Sequence, residues 1–174
     1  MNKKHILLAE DGEVVRPPSA AIFPQRKQPS HVAPIERHNK PTILFVTLAI
    51  KPRIPALAND LFHEAFKNAL KEADAWRVFL YLLMPDHIHL FAVPQTLPPF
   101  PIKKWAEFLK RKITCSFGVH PQWSWQPGCW DTQMRDLEHL NEKVMYVRMN
   151  PVRAKLCASP DEWRWHGESE WVIW

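Results

Sequence analysis

The stretch WRVFLYLLMPDHIHLFAVP, from Trp76 to Pro94, decides how this chain is read. Pro85 and Asp86 divide it into two runs, WRVFLYLLMP and HIHLFAVP, rich in the aliphatic and aromatic residues that suit a pleated surface. A short turn at the division makes the pair an antiparallel hairpin. Residues i and i+2 of a strand project from one face, roughly 6.5 to 7 Å apart along the chain. His87 and His89 are therefore side by side, and from that geometry both imidazoles can converge on one divalent ion, whereas adjacent histidines would point to opposite faces. An isolated pair at this spacing is ordinarily a hydrogen-bonded core or surface feature. The metal reading needs support from elsewhere in the sequence.

Upstream, PTILFVTLAI (Pro41 to Ile50) reads as a central strand buried on both faces, broken by Lys51, Pro52 and Pro55. Between it and the hairpin, ALANDLFHEAFKNALKEAD (Ala56 to Asp74) places Leu57, Leu61, Ala65, Phe66, Ala69 and Leu70 on one stripe, which predicts an amphipathic helix. Downstream, IKKWAEFLKRKITCSF (Ile102 to Phe117) predicts a second helix. Its apolar stripe is Trp105, Phe108, Leu109 and Ile113, and its other face carries Lys103, Lys104, Lys110, Arg111 and Lys112. WSWQPGCWDTQMR contains a further strand around Cys129 to Met134. A last helix runs from about Asp136, near the N-cap, to Arg148, pauses at Asn150 and Pro151, and resumes through VRAKL. The order β-α-β-β-α-β-α predicts an α+β fold: a ferredoxin-like antiparallel sheet packed against helices.

The chain has 174 residues, enough for one domain and some extra segments. Hydrophobic residues make up 46% and charged ones 24%, the profile of a soluble globular protein. No apolar run approaches the roughly 20 residues that span a bilayer, and acidic residues interrupt the opening MNKKHILLAEDGEVV before a signal-peptide core forms. A cytoplasmic protein with no membrane partner is expected. Cys115, Cys129 and Cys157 are widely separated, with no C-x-x-C pair, and read as reduced thiols. Residues 1–40 carry Pro17, Pro18, Pro24, Pro29 and Pro34 among basic residues without sustained periodicity, so they are expected to form a flexible arm. Residues 41–158 then form the domain, and 159–174 a tryptophan-rich tail packing on or beside it. A net charge of +5 and a pI near 9.2 suit a polyanionic partner.

In the last helix Tyr146 and Asn150 are four residues apart and share a face. An amide oxygen is a hard ligand and a phenol a nucleophile, although a helical tyrosine equally serves to pack its ring. Taken in order, MPDHIHLFAVP, WQPGCWDTQMRD and YVRMNPVRAKL resemble the REP-associated tyrosine transposases of the single-tyrosine HUH transposase superfamily. HUH denotes histidine, hydrophobic residue, histidine, which His87-Ile88-His89 fits. The resemblance spans roughly Pro41 to Trp165, and its most specific part is M-P-D-H-x-H together with Y-x-x-x-N-P-V-R-A. It implies an HUH endonuclease-type sheet bearing the histidine pair, with a C-terminal helix presenting Tyr146. It also implies that Asn150 completes a site for Mg²⁺ or Mn²⁺ with His87 and His89. The implied activity is nicking and rejoining of single-stranded or hairpin DNA through a 5′-phosphotyrosine at Tyr146, which leaves a free 3′-hydroxyl and needs no ATP. Monomer and homodimer are both compatible.

A second reading is a domesticated hairpin-binding protein without transposition activity, and a third a phosphodiesterase that uses water and has no need of Tyr146. The basic face of the second helix is expected to track phosphates, and Arg148 and Arg153 to hold the phosphate beside Tyr146. Arg153 reaches it only if the helix survives Pro151. Trp123, Trp125 and Trp130 serve either to stack exposed bases or to pack a core. Departures from the family pattern include Thr132 where relatives carry histidine, Lys155 where glycine is common, and a missing glycine pair before the first strand. Lys155 removes an easy left-handed cap and leaves the helix end open.

Overall fold

The computed structural model describes residues 42–169; the expected arm and residues 170–174 of the tail lie outside them. The hairpin is present, as β2 (Trp76–Met84) and β3 (His87–Pro94). It is preceded by β1 (Leu44–Lys51) and α1 (Asp60–Glu72). It is followed by α2 (Ile102–Phe117), β4 (Ser124–Trp125), β5 (Trp130–Gln133), α3 (Leu137–Arg148), α4 (Asn150–Arg153) and β6 (His166–Glu168). The sheet is antiparallel, in the order β4-β1-β3-β2-β6, with β5 also on β1. The α+β architecture is thus the expected one.

Alternation along the strands divides the interior in two. Leu44, Val46, Leu48 and Ile50 of β1 and Ile88, Leu90 and Ala92 of β3 face α1 and α2, where Phe62, Phe66, Trp105, Leu109 and Ile113 meet them. Phe91 and Val93 of β3, with Phe79, Leu80 and Leu82 of β2, face α3 through Leu140, Val144 and Val147. A strand covered on both sides has no polar face, which is why β2 and β3 read as near-continuous apolar runs. His87 and His89 share parity with Phe91 and therefore lie on the α3 side. On α1 the buried stripe is Phe62, Ala65, Phe66 and Ala69; Leu61, expected on it, is 79% exposed. The reason is angular: 62, 65, 66 and 69 close an i, i+3, i+4, i+7 set that excludes 61.

Two features depart from the expected pattern. Opposite β1, the strand expected around Cys129 to Met134 is present as β5, but an unexpected β4 precedes it: Ile50 pairs with Trp125 and Thr47 with Trp130, so residues 126–129 bulge out against Leu48 and Ala49. Gly128, at φ +63°, supplies the left-handed step. Lys110 reaches in from α2 and donates from Nζ to the carbonyl oxygens of Gln126, at 2.7 Å, and Gly128. The second feature is the tail, whose described part is an edge of the sheet. Trp163 is buried, its Nε1 donating to the Leu83 carbonyl at 2.9 Å, and Trp165 donates to Asp60 Oδ1 at 3.0 Å. β6 then pairs with β2, where Gly167 accepts the Tyr81 ring so closely that a Cβ would meet it at 2.4 Å.

The end of the last helix answers the question left by Lys155. Asp136 caps α3, accepting from the His139 amide at 2.8 Å. The chain pauses at Met149 and α4 carries Pro151 in its first turn, where its missing N–H costs nothing. Lys155 adopts φ +58° regardless of its side chain. The Leu156 amide bonds to the Pro151 carbonyl and the Lys155 amide to that of Val152, each at 2.9 Å, which is a Schellman closure.

Candidate functional site

β3 brings the two histidines together as its alternation requires. His87 Nε2 and His89 Nε2 are 3.1 Å apart, with the rings nearly perpendicular at 81°. The outer nitrogen of each ring is held from behind. His87 Nδ1 lies 2.6 Å from Asp86 Oδ1, and His89 Nδ1 lies 3.1 Å from Thr47 Oγ1 on β1. Arg53 pairs with Asp86 and stands 3.2 Å from His87 Nδ1. A guanidinium offers only donors, so the shorter carboxylate contact sets the tautomer: His87 Nδ1 donates to Asp86, and its Nε2 is a free lone pair. Thr47 both donates and accepts, so it supports either tautomer of His89.

Electrostatics favour the neutral form of both rings. Burial pushes the His89 pKa down to about 3, and the charges of His87, Lys143 and Arg53 act in the same direction. Burial also lowers His87, partly offset by Asp86. For Asp86 burial disfavours the carboxylate, but hydrogen bonds from Arg53 and His87 outweigh it and hold the group below the usual range. Two imidazoles therefore face one another across a gap that has room for one His89 proton or one cation. At metal–nitrogen distances of about 2.0–2.1 Å, two neighbouring ligands stand roughly 3 Å apart, so the spacing fits an ion.

Among the described residues no group of three His, Cys, Asp or Glu side chains converges in this way, so a third protein ligand to an ion here would have to be of another type. Asn150 supplies one candidate. Its Nδ2 is buried and has no hydrogen-bond partner, a state that ordinarily costs about 1–3 kcal/mol. Turning the amide over would put its oxygen, a hard donor, in the same place.

Tyr146 stands on α3 and is 48% exposed. Arg153 does reach it: its Nη2 donates to Tyr146 Oη at 3.2 Å, and its guanidinium lies 4.2 Å from the ring centroid. The turn at Met149 and Pro151 keeps the two-turn spacing. A second cation, Lys143, lies 5.4 Å from the Tyr146 ring and 5.4 Å from the Phe45 ring, which in turn packs 5.3 Å from His89. Lys143 thus links the tyrosine to the histidine pair. It was legible as the residue one turn before Tyr146 on the same face. Arg53 and Thr47, brought in from a loop and a neighbouring strand, carried no signal in the sequence.

Other residues of the expected DNA surface fall elsewhere. α2 covers the opposite face of the sheet from the histidines. Lys103, Lys104 and Arg111 are exposed there, and Lys112 pairs with Glu72. Lys110 is a correction: it is 5% exposed and bonded to the bulge carbonyls, so it is not a phosphate contact. Helical periodicity alone did not separate it from Arg111. Arg148 pairs with Glu168 of β6. Of the three tryptophans, Trp123 is buried, Trp125 donates to Thr114 Oγ1 at 3.1 Å, and Trp130 is 38% exposed.

The class defined by these observations is an α+β protein with an antiparallel sheet that carries a histidine pair on the face covered by a tyrosine-bearing helix. No family model and no curated protein matches the sequence. Among solved structures, the chain is similar to a REP-associated tyrosine transposase bound to a REP hairpin, with a TM-score of 0.62 at 16% identity over 78% of this chain and 82% of that one. A candidate transposase from Deinococcus radiodurans R1 aligns with a TM-score of 0.43 at 19% identity, over 64% of this chain and 92% of that one. The resemblance expected from the motifs is therefore met at the level of the fold. Among the described residues no helix is long and apolar enough to cross a membrane.

Proposed function

We propose that the protein is a DNA-nicking and strand-transfer enzyme of the tyrosine HUH type, acting on single-stranded or hairpin DNA. The observation that carries the reading is the pair of imidazoles with Nε2 atoms 3.1 Å apart, linked through Phe45 and Lys143 to the exposed Tyr146. His87, His89 and Asn150 would hold Mg²⁺ or Mn²⁺, which would offset the negative charge that shields a phosphodiester from attack. Asp86 and Thr47 orient the two rings for that task.

The covalent step falls to Tyr146. Its oxygen attacks phosphorus as the phenol proton passes to solvent, a tyrosine oxygen–phosphorus bond forms, and the bond to the 3′-oxygen breaks, that oxygen taking a proton from solvent to give a 3′-hydroxyl and a 5′-phosphotyrosine. Lys143 and Arg153 flank the ring and meet the charge that develops on the phosphate. Because one ester replaces another, an incoming 3′-hydroxyl reverses the step. The fold shared with a REP-associated transposase supports this reading and favours DNA as the partner. The test is incubation with a labelled single-stranded hairpin and Mn²⁺, followed by denaturing gel and peptide mass analysis. A covalent adduct on Tyr146 is expected. Tight hairpin binding without any adduct would instead make the chain a hairpin-binding module.

A further inference from the structure

Trp130 is out of place as a core residue. It opens β5, is 38% exposed, and belongs to neither interior cluster, while Trp76, Trp105 and Trp123 are buried. Its position in the sheet is specific. Trp130 pairs with Thr47 on β1, and Thr47 pairs with His89 on β3. Residues directly opposite one another in an antiparallel ladder project from the same face. Trp130, Thr47 and His89 therefore form one row on the α3 side, spanning two strand spacings of about 4.8 Å each. The Thr47 hydroxyl contacts His89 Nδ1, so the indole flanks the histidine site from the sheet edge. Lys143 and Tyr146 approach the same histidine by way of Phe45, the next residue on that face of β1.

We infer that Trp130 is the base-stacking platform of this site, taking an unpaired nucleobase that flanks the phosphate held at His87 and His89. The inference rests on the proposed function and deepens it by placing one base. An indole face suits this role because every base has a π-face, which makes stacking strong and tolerant of sequence. The interrupted edge strand sets the partner of Trp130. The bulge at residues 126–129, held by Lys110, adds two residues to the edge, an even number that keeps the side chain on the histidine face and seats it opposite Thr47, the residue beside His89, where an unbroken strand would put it opposite Phe45. A duplex base is already stacked on both sides, so the platform discriminates for single-stranded DNA.

The test is equilibrium binding of a single-stranded oligonucleotide, measured by fluorescence anisotropy, to wild type, Trp130→Ala and Trp130→Phe, with each base beside the cleavage point removed in turn. Stacking is worth about 1–3 kcal/mol per base, so Trp130→Ala should weaken binding of the intact strand by at least about fivefold. Trp130→Phe should retain most of the affinity. At one position, loss of the base should weaken wild type by a similar factor and Trp130→Ala no further. 2-Aminopurine at that position should be quenched by wild type, which keeps the test open should the alanine variant fail to fold. Wild-type affinity in Trp130→Ala, or a loss equal at every abasic position, overturns the inference. The adduct assay separates the two ideas. An adduct in wild type with no coupling at any position sinks the platform alone, and coupling without an adduct sinks the nicking activity alone.

Discussion

At the scale of single residues, the histidines and Tyr146 should fail in different ways. Tyr146→Phe keeps the ring between Lys143 and Arg153 but removes the attacking oxygen, so folding and DNA binding should persist while the covalent adduct disappears. His87→Ala or His89→Ala leaves one imidazole and Asn150. Excess Mn²⁺ is expected to restore part of the cleavage in those variants and none in Tyr146→Phe, as a titration of adduct yield against metal would show. Burial of His89 also fixes a pH dependence of stability. Its pKa falls from 6.5 to about 3 on folding. Above pH 6.5 the ring is neutral in both states; as pH drops below that value, the unfolded chain takes up a proton that the folded chain refuses. Stability should therefore decline from about pH 6.5 toward pH 3. Chemical denaturation of His89→Gln at several pH values should show a shallower decline, and an unchanged slope would place its origin elsewhere.

At the scale of elements, two lysines have structural roles. Lys155 closes α4 in a left-handed conformation that costs a side-chain-bearing residue roughly 1–2 kcal/mol and costs glycine almost nothing. Lys155→Gly should therefore stabilise the fold by about 1 kcal/mol, visible as a raised denaturation midpoint with an unchanged slope. Lys110 donates to two carbonyls of the bulge, and charge-assisted bonds of this kind are worth about 1.5–3 kcal/mol. Lys110→Met should lower stability by about that amount, and near-wild-type stability would show that the bulge holds itself. In α1, by contrast, the Asn59 cap and the Phe62 stripe suffice to explain where the helix starts and which face it buries.

At the scale of the whole molecule, the sheet separates two candidate surfaces. The exposed lysines of α2 lie across it from the histidine site. Replacing Lys103, Lys104 and Arg111 with glutamine should reduce overall DNA affinity and its salt slope, by up to about 0.7 for each single-strand phosphate that is no longer neutralised. The adduct rate at saturating DNA should stay unchanged, because none of the three lies on the face that holds His89 and Tyr146. A fall in that saturated rate would mean that the two faces are coupled. The C-terminal segment is equally a whole-molecule matter. Trp163 is buried against β2 and β6 closes its edge. Ending the chain at residue 158 should abolish cooperative unfolding in a thermal melt, where a mere appendage would leave the transition intact.

The sequence by itself determined the hairpin, the three long helices and the side-by-side histidines. Each of these depends on a local period: two for His87 and His89, and 3.6 for α1, α2 and α3. It also set Tyr146 and Arg153 seven residues apart, but that they meet was decided by the turn at Met149 and Pro151, which keeps the two-turn spacing between α3 and α4. Tertiary structure alone decided which side of the sheet each helix covers, that Lys110 turns inward while Arg111 does not, and that HGE at 166–168 is a strand. It alone set Thr47 behind His89 and Trp130 beyond Thr47. Local periods are written in neighbouring residues. Cross-strand register and the burial of one lysine among several depend on backbone partners dozens of residues away, whose unpaired hydrogen-bonding groups claim whichever side chain or strand folding brings within reach.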